Sequence, residues 1–202
     1  MASVEYRLAP ENPFPAGQDD CVRAFRALRD MAAQLGADPD RVGVGGDSMG
    51  GNLAAQVALL CRAKPPAFAW LAYPWVDMAI DAPSTQTLAV GYGLTTAAVE
   101  WFRGQYLDAR DLGVAPAWER IVAASPARAS DLSGFCRTFL CTAGFDPLRD
   151  EGRRFAHELA GAGVDVEYRC FDDQVHGFLS VGGAVPSSRR AFLEAAAWLR
   201  GV

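Results

Sequence analysis

Gly46-Asp47-Ser48-Met49-Gly50-Gly51 carries a serine with a glycine two residues away on each side, the pattern G-x-S-x-G. A strand that turns straight into a helix holds its central residue in strained geometry and pushes the serine hydroxyl outward. The flanking glycines are expected there because a Cβ would collide with the neighbouring strand or helix. The helix that follows adds partial positive charge and free N–H groups beneath the hydroxyl. Two plainer readings compete: a glycine-rich helix cap with Asp47 or Ser48 as N-cap, and a phosphate-cradling loop, which lacks the G-K-[ST] it would need.

A serine nucleophile needs a base that titrates near neutrality, and the chain has two histidines, His157 and His176. His157 lies mid-helix among charges and reads as a solvated helix residue. His176 lies in a loop just after a strand, before Gly177, where a sharp turn is permitted. The third member must be a carboxylate that orients the imidazole. Asp146 follows a buried strand directly and precedes Pro147, so it is also a candidate helix N-cap. Both roles are compatible. Asp150, Asp172 and Asp173 compete with it. Asp150 sits a helical turn further on, and Asp172 and Asp173 are too close to His176 in sequence to approach it from another strand. The resulting chain order is Ser48, Asp146, His176, whereas the other known triad orders begin with His or Asp.

These residues must be positioned by the elements around them. Ser3 to Leu8 alternates apolar and polar residues and predicts a strand. From Gln18, Val22, Phe25, Leu28, Met31 and Leu35 mark one face of a helix that Gly36 stops. Arg41 to Gly45 predicts a short strand, Met49 to Arg62 a helix, and Ala67 to Tyr73 a strand covered on both faces. Residues 74–125 read as an irregular inserted segment containing one helix, Thr96 to Leu107, with Glu100 in its first turn. The alternation then resumes with a strand at Thr138 to Phe145, a helix at Pro147 to Ala160, a strand at Val164 to Phe171 and a helix at Ser187 to Arg200. Such repetition predicts one α/β domain over 1–202, with a mostly parallel sheet and helices on both faces. Ligands bind such sheets at the carboxyl ends of the strands. Trp70, Tyr73, Trp75, Tyr92, Trp101, Phe102, Tyr106 and Trp118 cluster in the middle third, either as a pocket wall or as packing of the inserted segment.

Composition narrows the classes. The 202 residues are 50% hydrophobic and 21% charged, which excludes a disordered tail, a coiled coil and a collagen-like repeat. The net charge is −5 with no basic stripe, so no nucleic-acid partner is expected. The longest apolar run, Ala67 to Val76, is too short to span a bilayer, and the first residues do not read as a signal peptide. Five cysteines without a C-x-x-C predict free thiols in a reducing cytoplasm and no zinc or other metal site.

Four blocks together resemble a known family: Tyr6-Arg7-Leu8-Ala9-Pro10-Glu11 with Phe14-Pro15-Ala16, the Gly46 to Asn52 block, Ala143-Gly144-Phe145-Asp146-Pro147-Leu148, and His176-Gly177-Phe178. The chain resembles the hormone-sensitive-lipase-like esterases, the bacterial family IV carboxylesterases of the α/β-hydrolase fold, from about Ser3 to its end. The resemblance implies hydrolysis of carboxylic esters, usually with short acyl chains, and no cofactor. It implies Ser48 as nucleophile, His176 as base, Asp146 as its partner and the Met49 backbone N–H as an oxyanion donor. Met49 departs from the alanine common in the family, and a narrower pocket is expected. Amidase, peptidase or lactonase chemistry on the same fold, and a non-catalytic binding role, remain alternatives at this level.

The family's H-G-G-G stretch, which supplies further oxyanion donors, does not occur in these residues. The resemblance therefore implies an N-terminally truncated fold, with a start upstream of Met1 as the favoured explanation. Losing one oxyanion donor lowers turnover by about 10²–10³-fold, so weak activity is expected of the chain alone. The strand Ser3 to Leu8 is further expected to present an unpaired edge through which copies associate.

Overall fold

The computed structural model describes residues 1–109 and 117–201. Four parallel strands form one sheet in the order β1 (Val44–Asp47), β2 (Ala69–Ala72), β3 (Thr138–Phe145) and β4 (Val166–Val175). Side chains alternate along the strands and build a core on each face. Leu71 of β2 and Leu140 of β3 point to one side, where they meet Ala55 and Ala58 of helix α2 (Met49–Leu60) and Phe155 and Leu159 of helix α6 (Arg149–Gly161). Ala72, Phe139 and Cys141 point to the other side, against Ala191, Ala195 and Trp198 of helix α7 (Pro186–Trp198). Each fully buried Leu or Phe in these layers contributes about 1.5–3 kcal/mol relative to exposure.

Helix α1 (Ala16–Met31) packs Val22 and Phe25 onto Val57 and Cys61 of α2. A 3₁₀ turn continues it to Leu35, and Gly36 ends it in the left-handed region at φ +73°. The predicted apolar face is used only in part, since Met31 and Leu35 are exposed.

The segment Ser3 to Leu8 is not a strand. No strand among the described residues lies beside it, so its backbone has no ladder to join. Side chains hold it instead. Arg7 makes a two-pronged contact with Asp20 of α1, Nε to Oδ2 at 2.8 Å and Nη2 to Oδ1 at 2.9 Å. Among the described residues the edges of the sheet are β1 and β4, so the unpaired strand edge expected at Ser3 to Leu8 is not formed there.

Between β2 and β3 lie α3 (Ser84–Thr87), α4 (Thr96–Tyr106) and α5 (Trp118–Ala123). Residues 110–116 of the expected inserted segment fall outside the described residues. Helix α4 is capped by the Thr95 hydroxyl, which accepts the Ala98 N–H at 3.1 Å, and Glu100 lies beyond its first turn. Helices α4 and α5 share a core with Trp75 and Met78 through Val99, Leu107 and Ile121, to which Met49 and Leu148 also contribute. Those last two residues neighbour Ser48 and, two positions on, Asp146, so the segment packs against the ends of the strands that carry them. Of the eight clustered aromatics, Tyr73 and Trp75 are buried, while Trp101, Phe102 and Trp118 are largely exposed.

Candidate active site

Ser48 sits between β1 and α2 with φ +52° and ψ −118°, a conformation disfavoured for a residue with a side chain. Its backbone is fully engaged. The N–H donates to the Ala72 carbonyl at 2.9 Å, and its own carbonyl accepts the N–H groups of Asn52 at 3.2 Å and Trp75 at 3.1 Å. The turn is tight enough that a Cβ on Gly46 would overlap the Gly50 carbonyl. Gly50 itself has open space where a Cβ would sit, contrary to the sequence expectation. The second crowded glycine is Gly51, which faces Pro74.

His176 follows β4 directly. The strand runs on to Val175, with an irregularity in register between Ala143 and Phe145 that lets both strand ends reach the same point. The His176 Nε2 lies 2.9 Å from the Ser48 Oγ, and its Nδ1 lies 2.8 Å from the Asp146 Oδ2. Asp146 is buried and its other oxygen, Oδ1, accepts the Leu148 N–H at 2.8 Å. Asp146 thus turns the chain toward α6 and holds the imidazole with separate oxygens. An ionised carboxylate only accepts, so Nδ1 must carry the proton and Nε2 is left to accept the serine hydroxyl. The first N–H groups of α2, beginning at Met49, have no acceptor within the helix and lie beside Ser48.

The competitors are placed elsewhere. His157 is exposed on α6, its ring 6.3 Å from that of Tyr168. Asp150 is held by Arg149 and Arg153, and Asp173 by Arg190. Asp172 is exposed on β4. Among the described residues, no group of three or more His, Cys, Asp or Glu side chains is arranged to hold a metal ion.

Residues 1–180 match a family described as having the alpha/beta hydrolase fold. The chain belongs to this α/β-hydrolase family. It is 43% identical to the carboxylic ester hydrolase LipN of Mycobacterium tuberculosis (strain ATCC 25618 / H37Rv), over 90% of this chain and 49% of that protein. It is 34% identical to an ethyl acetate hydrolase of Pseudomonas putida, over 92% of this chain and 58% of the relative. Among solved structures, the carboxylesterase EstE1, cloned from a metagenomic library, superposes with a TM-score of 0.88 at 38% identity, covering 97% of this chain and 66% of that one. The chain thus spans about half to three-fifths of the length of these curated relatives.

Two features of this α/β-hydrolase are not signalled by its motifs. The first is the loop that follows β2, from Tyr73 to Asp77. Besides the Trp75 N–H bond to Ser48, it receives the Asn52 side-chain amide at the Trp75 carbonyl, at 2.7 Å. Its own N–H groups at Val76 and Asp77 donate to Glu151 Oε1 at 2.8 and 3.0 Å. The loop therefore bonds to the helices that follow both Ser48 and Asp146. Its position at the carboxyl end of a central strand is the one signal the sequence offers for it.

The second is Glu151, which is fully buried on α6. It stands in step with Phe155 and Leu159 at intervals of four, so helical periodicity marks it as inward-facing. Burial pushes its carboxyl well above the usual glutamate range, and the negative charges of Asp77 and Asp146 add to this, against the two backbone N–H bonds. A raised carboxyl binds its proton more tightly folded than unfolded. Below the unfolded value near 4.5 the two states are equally protonated and the group is neutral in the balance. Above it the unfolded chain releases the proton first, and stability falls until the folded carboxyl ionises too. Glu151→Gln removes this titration. Melting temperatures at about pH 4 and about pH 8 are expected to show the variant gaining on the parent as pH rises. A gap that stays constant over that range would exclude ionisation of Glu151 as a destabilising process.

Proposed function

We propose that the chain is a serine hydrolase that cleaves carboxylic esters of short acyl chains through an acyl-enzyme. The observation that carries this reading is the continuous contact from Ser48 Oγ to His176 Nε2 and from His176 Nδ1 to Asp146 Oδ2. His176 takes the serine proton as Oγ bonds to the ester carbonyl carbon. The negative charge that develops on the carbonyl oxygen is met by the Met49 N–H. Collapse expels the alcohol, which leaves with the proton from His176. Water, deprotonated by the same imidazole, then attacks the acyl-enzyme, and the carboxylic acid departs as the Ser48 hydroxyl is restored. Asp146 holds the imidazole tautomer and stabilises the imidazolium. No cofactor enters this cycle.

Ester cleavage is supported by the activities for which the relatives are named, and a short acyl preference by the ethyl acetate hydrolase among them. A reducing, cytoplasmic setting accords with five cysteines that are all free thiols. Among the described residues no helix is long and apolar enough to cross a membrane. The test is a series of p-nitrophenyl esters of increasing acyl length beside p-nitroanilides. The proposal expects acetate and butyrate to be the best substrates and the anilides to be inert. Equal or faster anilide cleavage would replace the esterase reading with an amidase.

A further inference from the structure

Tyr73 is a buried tyrosine held at φ +34°, an unfavourable backbone conformation for a residue that carries an aromatic side chain. Strain of this kind persists only where surrounding contacts over-determine it, and it concentrates at functional sites. The contacts here are identifiable. The Tyr73 N–H donates to the Cys141 carbonyl at 2.6 Å, which anchors the residue to β3. The ring packs between His176, at a centroid distance of 4.9 Å, and Phe178, at 5.2 Å. The hydroxyl donates to Asp47 Oδ2, the residue before Ser48, over a long 3.3 Å.

One phenol therefore touches the segment that carries the nucleophile and the segment that carries the base. Ser48 and His176 are 128 residues apart in sequence and meet through the catalytic hydrogen bond. We infer that Tyr73 is a positioning residue, whose ring packs on His176 while its hydroxyl bonds Asp47, and so holds the imidazole in register with Ser48. The inference rests on the serine-hydrolase reading for its catalytic meaning. It does not require Tyr73 to touch substrate.

The geometry separates two contributions. The ring supports the imidazole by packing, and phenylalanine keeps that support. The hydroxyl joins that ring to Asp47, and phenylalanine cuts that link. Tyr73→Phe is therefore the informative change. Turnover of p-nitrophenyl acetate is expected to fall about tenfold with KM held within about twofold, as for a loss of alignment in place of a loss of binding. Asp47→Ala cuts the same link from its other end. The double variant is expected to be no slower than the slower single one, because coupled residues do not add.

A readout that needs no turnover accompanies these rates. Proton NMR of the ¹⁵N-labelled chain follows the downfield Nδ1–H resonance of the His176–Asp146 bond. It is expected to be sharp in the parent and broadened in Tyr73→Phe, with the melting temperature confirming that the variant is folded. If Tyr73→Phe leaves turnover and this resonance unchanged, or if the two single effects multiply, the positioning role is overturned. Should the parent chain hydrolyse no ester, the serine-hydrolase reading fails, and the resonance alone still decides whether Tyr73 holds the imidazole.

Discussion

Replacing Ser48 by alanine is expected to reduce ester turnover by about 10⁴–10⁶-fold, to the level left by binding and oxyanion contacts alone. Ser48 Oγ is the hydroxyl that lies 2.9 Å from His176 Nε2, and the strained elbow holds it there, so no neighbouring group is placed to substitute for it. The loss should be seen in kcat, since the truncated side chain carries no binding surface of its own. His176→Ala is expected to match it, because a serine without its base is a poor nucleophile. The internal control is His157→Ala. That imidazole is exposed on α6 and ought to leave turnover within about twofold, as substitutions away from such features do. A dead His157→Ala beside an active His176→Ala would reverse the assignment of the base.

Asp146→Asn is expected to cost about 10⁴-fold in kcat while the chain stays folded, as changing the carboxylate of such a triad to an amide does in serine proteases. The reason can be followed atom by atom. Asp146 Oδ1 accepts the Leu148 N–H, and an asparagine would keep its amide oxygen at that position. Its NH₂ would then face His176 Nδ1, which must become an acceptor. The imidazole proton moves to Nε2, where it opposes the Ser48 hydroxyl and removes the base. Because the turn into α6 is preserved, the melting temperature should change little while kcat collapses. A variant that loses stability in step with activity would show that Asp146 serves the turn and not the imidazole.

Much of this arrangement is legible in the residues themselves. The serine elbow, the isolated His176 and the aspartate after β3 each sit where a strand pattern ends, and strand ends are where parallel sheets place their chemistry. The bounds read for β3 coincide with those observed. Other readings fail for identifiable reasons. The alternation in Ser3 to Leu8 is a true pattern, but a strand exists only beside a partner, and none is formed there among the described residues. The strand before the elbow is displaced toward Asp47, because its pairing with β2 continues through the glycines that periodicity treats as a stop. The strand before His176 is longer than its apolar pattern, because Asp172, Asp173 and Gln174 continue it as polar residues. Tyr73 escapes for another reason. It reads as the last residue of an apolar run, and nothing local reveals that its hydroxyl reaches Asp47 while its ring meets His176. Such long-range closure belongs to the tertiary structure.

The most direct test of the account is covalent labelling of the 202-residue chain with a fluorophosphonate, followed by intact mass and peptide mapping. The phosphorus takes the place of the ester carbonyl carbon, so labelling requires the same activated oxygen. The account predicts a single adduct on the peptide that contains Ser48, absent in Ser48→Ala and strongly slowed in His176→Ala. An adduct on any other residue, or undiminished labelling of Ser48→Ala, would contradict it.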